Sequence, residues 1–270
     1  MKLKPGGLAA AAAVLMVVLG CSLSKFMPST GNSATNSGVS NSGVPSNDGH
    51  TAGAATGLCS NAYFPVGPDI SRKYRITYAK GPLQEREYTE KISNIADEGF
   101  TVDSDFGNVS SHINWKCTAE GLLAVQYDNS IDMEKSGTMA KIDTLDSSGV
   151  TIPQDGRFVP GANWSAEYHV RETINGPNDA QIGSGEGKVG QNAQVIGTES
   201  VTVPAGTFDA VKVEIKTELD ITVKVKGITV PVKTDMKTTV WFAKDVGIVK
   251  NITKTGVITE ATTELMSFSK

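Results

Sequence analysis

The stretch that most constrains the fold runs from Val211 to Val225. Its odd positions are Val211, Val213, Ile215, Leu219, Ile221, Val223 and Val225, with Thr217 the exception, and its even positions are Lys212, Glu214, Lys216, Glu218, Asp220, Thr222 and Lys224. Side chains alternate across a strand, so this is a β-strand with one apolar face and one charged face. Fifteen residues in extended form span roughly 50 Å at 3.3 Å each, and a sheet of that length must twist and coil. Reversing the phase would bury about six charged side chains without partners, which desolvation forbids.

The same period recurs over much of the chain. A Pro204-Ala205-Gly206 turn precedes the long strand and Lys226-Gly227 follows it. A second run then places Ile228, Val230, Val232, Met236, Val240 and Phe242 in one phase, which reads as a long antiparallel hairpin. Pro231 falls in the polar phase and marks an edge position or a bulge. Tyr74, Ile76 and Tyr78 share a phase, as do Ile113, Trp115 and Cys117; Leu123, Val125 and Tyr127; and Trp164, Ala166, Tyr168 and Val170. Residues 241–252 turn at Asp245 to Gly247, and 257–268 supply a last strand. The spacing over 82–96 fits helix or strand, and we expect a strand. Residues 58–270 are therefore expected to form one all-β domain: a curved, long-stranded antiparallel sheet, half-barrel or sandwich-like, with one face on a core and the other in water.

Upstream the composition changes. Lys2 and Lys4 precede an apolar run from Leu8 to Leu19, too short to cross a bilayer comfortably, followed by Gly20 and Cys21. The order of charge, apolar core, small residue and cysteine resembles the lipobox of bacterial lipoproteins. That resemblance implies removal of residues 1–20, acylation of Cys21 and a membrane as the partner of its acyl chains; in a Gram-negative host Ser22 would favour the outer membrane. Residues 21–57 are rich in Ser, Asn, Gly, Thr and Ala. They bury too little apolar surface to offset ordering entropy and read as a flexible tether. His50 lies there and is expected to be solvated.

Losing residues 1–20 takes away Lys2 and Lys4 and no acid, so 25 basic residues become 23 against 29 acidic, a net charge of −6. No basic stripe is present, and nucleic acid is not an expected partner. With Cys21 assigned to lipid, Cys59 and Cys117 remain. Outside the cytoplasm two such thiols oxidise together where geometry allows, and we expect a disulfide, with two separate free thiols as the alternative. Closing that loop would stabilise the fold by about 4 kcal/mol. Neither CxxC nor HxxH spacing accompanies them, so no zinc site is expected.

Three segments resemble landmarks of bacterial exported proteins of the TapB-like group: "NAYFPVGPDISRKYRITY" (61–78), "VPAGTFDAVKVE" (203–214) and "WFAKDVGIVKN" (241–251). The resemblance implies an envelope location and a β fold, and brings no catalytic residues.

Motifs that would carry chemistry fail on spacing. "GSGEGKVG" (183–190) has three residues between Gly183 and Gly187 rather than four, and Val189 stands where Ser or Thr is required, so a flexible hairpin tip is expected there instead of a phosphate loop. Ser184 lacks the glycine a nucleophile elbow needs two residues before it. "DSDFGN" (103–108) places its glycine too early for a calcium loop and has no Glu at the twelfth position. His112 and His169 lie in polar phases, away from any triad pattern. Glu218 and Asp220 project from one face roughly 7 Å apart, within the range of paired glycosidase carboxylates, yet Lys216 and Lys224 share that face and a solvated charge ladder explains them. We therefore expect no cofactor, metal or enzymatic activity. The expected function is that of a lipid-anchored cell-envelope protein with a binding or interaction domain, whose partner is another envelope protein. The alternative is a carrier of a lipid or other apolar ligand in the concave face, as in LolA-like half-barrels; a hydrolase ranks below both. The two leading readings part on whether the apolar face is filled.

Overall fold

The computed structural model describes residues 57–79, 85–107, 110–127, 130–133, 138–176, 180–255 and 259–270. The signal segment 1–20, Cys21 and nearly all of the 21–57 tether, including His50, lie outside the described residues.

Among the described residues, fourteen strands form one antiparallel sheet: β1 (Ser71–Tyr78), β2 (Arg86–Ala96), β3 (Gly99–Asp105), β4 (Ser110–Cys117), β5 (Gly121–Ala124), β6 (Ser130–Met133), β7 (Thr138–Gly149), β8 (Ile152–Pro153), β9 (Asn163–Asn175), β10 (Gln181–Val203), β11 (Gly206–Val225), β12 (Ile228–Ala243), β13 (Gly247–Thr255) and β14 (Thr259–Ser269). Their order is β6-β7-β9-β10-β11-β12-β13-β14-β1-β2-β3-β4-β5-β8. The expected all-β curved sheet is observed, and residues 86–96 are strand. Among the described residues, the helical segments are single 3-10 turns at Gly57–Cys59 and Asp155–Arg157.

The two ends of the strand order meet. Val150 N–H donates to the Ser165 carbonyl of β9 (2.8 Å), and the next residue, Thr151, donates to the Leu122 carbonyl of β5 (2.9 Å). One segment thus stitches both ends of the sheet together, and the sheet curls round like a barrel joined at one pole. That pole also holds the start of β1, the β10–β11 and β12–β13 turns and the end of β14; the opposite pole holds the β11–β12 turn.

Val211 and Val213 of β11 share a cluster with Val240 and Phe242 of β12, and with Phe100, Val102, Cys117 and Leu122 from the other half of the sheet. The expected phase of β11 holds: Val213, Ile221 and Val223 are buried while Lys216, Glu218, Asp220 and Lys224 are exposed. The β11–β12 connection is a two-residue hairpin in which Lys226 and Gly227 both take positive φ (48° and 83°), the combination that matches strand twist. Pro231 pairs with Thr222 of β11, while the β13 ladder begins only at Met236, so the proline occupies a local edge among the described strands.

One expectation needs amending. Near the joined pole β11 and β12 are buried on both faces, because Ala210, Trp241 and Ala243 belong to another cluster with Val201, Val203, Tyr74, Val249 and Leu265. The ladder slips between Val195 and Gly197, so Val195 lies opposite Val213 whereas Val201 lies opposite Phe208. This bulge turns the end of β10 to the other face, where its valines cover Trp241.

Candidate functional site

The three landmark segments converge at the joined pole. Asn61, buried, fixes the lead-in loop: its Nδ2 donates to the Pro153 carbonyl (2.8 Å), and its Oδ1 accepts from the Tyr63 and Phe64 amides (2.9 and 3.0 Å). The Ala62 amide donates to Asp155 Oδ1 (2.8 Å), and the Ala62 carbonyl accepts from the Asp245 amide in the β12–β13 turn (2.7 Å). That turn holds Asp245 and Gly247 at positive φ (62° and 104°). A side chain at Gly247 would stand 3.1 Å from Arg72 Nε, so glycine there admits the guanidinium. The third landmark docks as well, the Ala205 amide of the β10–β11 turn donating to the Leu265 carbonyl of β14 (3.1 Å).

Arg72 pins the assembly. It is 1% exposed, its Nε donates to the Val246 carbonyl (2.9 Å), its Nη2 donates to the Pro65 carbonyl (2.8 Å), and its guanidinium lies 5.0 Å over the Phe64 ring. Nη1 has no hydrogen-bond partner among the described residues. Opposite Arg72 in the β1–β2 ladder stands Glu90, half-buried, whose carboxyl is pushed up to about 6 by burial, partly opposed by the charge of Arg72. Tyr74 and Tyr88 stack beside them (5.2 Å), with Tyr74 donating to the Ile248 carbonyl (2.9 Å); burial, then the nearby Glu90, raises both phenols.

Against the lead-in loop lies a surface pocket of about 280 Å³, lined among others by Asn61, Pro65, Asp69, Asp155, Asp245 and Lys270. Three carboxylates and one lysine give it a net acidic rim, and one Asp155 oxygen is already committed to the Ala62 amide. Its walls are the 60–70 loop with Asp155, Asp245 and Lys270, and it opens at the joined pole.

The concave apolar face is filled. Phe158 meets Phe242 edge-on (5.2 Å) and stacks on Tyr63 (4.1 Å), while Phe64 stacks on Phe100 (6.1 Å) and Trp115 (5.1 Å), so aromatic rings bridge the two halves of the sheet. Towards the other pole Tyr168, Val170, Val189, Ile221 and Val223, each at most 2% exposed, form a further cluster with Leu123.

Cys59 and Cys117 are joined in a disulfide, with Cα atoms 5.0 Å apart, tying the lead-in turn to the end of β4. The glycine-rich run is not a hairpin tip: 183–190 lies inside β10, where Gly183, Gly185 and Gly187 pair with β11. A side chain on Gly187 would come within 2.0 Å of the Asp220 carbonyl, so the glycines let two long strands coil tightly. Ser184 stays half-buried in the same strand.

In the 103–108 segment Asp103 contacts His112 across β3–β4, and Asp105 Oδ1 accepts from the Gly107 amide (2.7 Å), a local turn rather than a calcium loop. His169 faces Asp146 (3.3 Å) on the outer surface. Glu218 and Asp220 both point outward. Asp220 pairs with Lys233 (2.7 Å), Glu218 stands opposite Asp235, and they line an open groove with Lys216 and Lys237. Among the described residues no group of three or more His, Cys, Asp or Glu could hold a metal ion.

Among the described residues, three charged side chains in apolar phases escaped the motif reading: Arg72 and Glu172, both buried, and Glu90, half-buried. Glu172 is 2% exposed, flanked by Val170 and Ile174 on β9, and its Oε2 has no partner among the described residues; burial raises its pKa. Each occupies an apolar phase, Arg72 with Tyr74, Glu90 with Tyr88 and Ile92, and Glu172 with Tyr168, Val170 and Ile174. A charge interrupting an apolar phase was the available signal.

No curated protein matches the sequence. Solved structures similar in shape include an exported protein with a YmcC-like fold from Bacteroides fragilis, with 13% identity, a TM-score of 0.43, and coverage of 78% of this chain and 100% of that one. A lipoprotein from Parabacteroides distasonis gives 15%, 0.45, 77% and 99%, and the lipoprotein YmcC from Escherichia coli 9%, 0.33, 75% and 86%. The model of the DUF3108-like family matches residues 84–256, well over half of the chain, and the protein belongs to that family.

Proposed function

We propose that this is a lipid-anchored cell-envelope protein whose β domain works by binding a partner at the joined pole, and not by catalysis. The observation that carries this reading is the acidic pocket at the joined pole, where two of the landmark segments, 61–78 and 241–251, meet Asp155 and Lys270. The same segments underlie the finer assignment to TapB-like exported proteins. Anchoring through Cys21 would hold this pole near a membrane, the outer one in a Gram-negative host. The filled interior speaks against the carrier alternative, which needs apolar lining without filling.

Two experiments test it. Cys21→Ala should move the protein from the membrane to the soluble fraction, and unchanged partition with membranes would refute acyl anchoring. A photo-crosslinking residue at Asp69 or Lys270, introduced in the native host, should give a discrete product that the same residue at Thr222, on the outer face, does not. Equal labelling at all three positions, or none at the pocket, would remove the binding assignment. Uptake of one equivalent of a fluorescent fatty acid would replace it with the carrier reading.

A further inference from the structure

On the outer face of β11 and β12 the charges stand in an order that one chain does not satisfy. Lys216 lies opposite Lys237, and on the next rung facing the same way Glu218 lies opposite Asp235. All four side chains are exposed. One rung further on, Asp220 and Lys233 show the arrangement a self-sufficient ladder uses, with opposite signs in contact (2.7 Å). Like charges directly opposite, with Cβ atoms about 5 Å apart, are destabilising. Lys237 reaches diagonally to Glu214 (2.8 Å), but Lys216, Glu218 and Asp235 form no ion pair among the described residues.

We propose that this double stripe is a contact surface for a second copy of the chain, with the lysine rung of each copy seated on the acidic rung of the other. The inference goes beyond the binding-pole reading and makes no use of its pocket. The occupant follows from the symmetry of the charges. A two-fold axis lying in the contact plane, across the strands and midway between the two rungs, carries position 216 onto 218 and position 237 onto 235. Lys216 then meets Glu218 of the second copy, and Lys237 meets its Asp235, so each of the four charges gains a partner of opposite sign. An axis along the strands would set lysine on lysine. The two copies therefore run antiparallel, and their joined poles lie at opposite ends of the pair.

The surroundings fit such a contact. Gly190 faces Glu218 from β10 with no side chain, and nothing lies within 4 Å of where one would stand, so the acidic rung is open on that side. The four charges line an open groove of about 550 Å³ together with Asp220 and Lys233, which gives the lysine side chains of a second copy room to enter. The same symmetry brings Asp220 towards Glu214 of the second copy, yet each of these carboxylates already holds a lysine of its own chain, Lys233 and Lys237. From Lys212 to Thr222 the stripe runs about 33 Å, and with three strands it offers roughly 500 Å² per copy, the size of a weak pair held by charge.

The test is sedimentation of the full-length protein in detergent micelles at about 20 mM and about 500 mM salt, between which the screening length falls from about 20 Å to about 4 Å. Wild type should pair at low salt, and its dissociation constant should rise at least about tenfold at high salt. One comparison chain carries Lys216→Glu with Lys237→Glu, the other Glu218→Lys with Asp235→Lys. Each alone should be monomeric at low salt, with four like charges on the contact face, while an equal mixture of the two should pair. Should either fail to fold, Lys216→Gln and Glu218→Gln, each expected to raise the dissociation constant about five-fold or more, answer the same question. Pairing that the substitutions leave unchanged, or that mixing does not restore, overturns the proposal. A wild type that stays monomeric at low salt also overturns it, and leaves the stripe to a different protein or to water. A photo-crosslinker at Thr222, at the edge of the stripe, would give only a self-linked product of twice the chain mass, distinct from any product at Asp69 or Lys270, so either reading can fail while the other stands.

Discussion

Replacing Ile221 by Ala, beside a matched change of Asp220 to Ala, separates the two faces of β11 with a one-residue step. Ile221 is 1% exposed and packs with Val189, Val223 and Val232. Truncation removes three carbon groups at about 0.8 kcal/mol each, roughly 2.4 kcal/mol of transfer free energy. The tight β10–β11 coil cannot collapse onto the gap, so a residual cavity adds about 1 kcal/mol, for a loss near 3.5 kcal/mol. Asp220 loses only its pair with Lys233, whose side chains are 57% and 72% exposed, and should change stability by less than about 1 kcal/mol. Urea unfolding with unchanged m-values measures both. A loss under about 1.5 kcal/mol for Ile221→Ala, or equal losses for the two variants, would refute the assignment of an inner and an outer face.

Gly187→Ala should destabilise by more than about 2 kcal/mol, because its side chain meets the Asp220 backbone, whereas Gly190→Ala, with nothing within 4 Å, should change stability by under about 1 kcal/mol; thermal melts compare them. Reducing the Cys59–Cys117 bridge should lower stability by about 4 kcal/mol for a separation of 58 residues, read from urea melts with and without a reductant. Alkylation of the unreduced native protein should label neither cysteine.

Strand β11 was legible because its alternation is long and its polar phase is made almost wholly of charges, which leaves one affordable orientation. The turns at Lys226-Gly227 and at Asp245 to Gly247 were legible from residues that tolerate positive φ. The second buried face was not. It depends on the bulge at Ile196, and a bulge changes the meaning of every later position without changing the residues themselves. The 183–190 run misled for a related reason: glycines signal a turn locally, but here they serve the close approach of a partner strand that lies some thirty residues later in sequence. The pocket was invisible for want of any local pattern, since Asp69, Asp155 and Asp245 come together only through hydrogen bonds among three loops distant in sequence.

The ladder between β1 and β14 sets Ser71 opposite Ser269 and Tyr78 opposite Ala261. The first strand of the domain is therefore inserted beside the last, at the centre of the sheet order and not at an edge. During synthesis β1 has to wait, with one side unmatched, until residue 269 has emerged. Segments 138–225 can zip into their local hairpins much earlier. Final assembly is thus a late, long-range event, slow on contact-order grounds. In the proposed envelope role the delay would have a use: the incompletely paired form would stay open enough to be threaded across a membrane, and the domain would lock only once β14 had arrived on the far side.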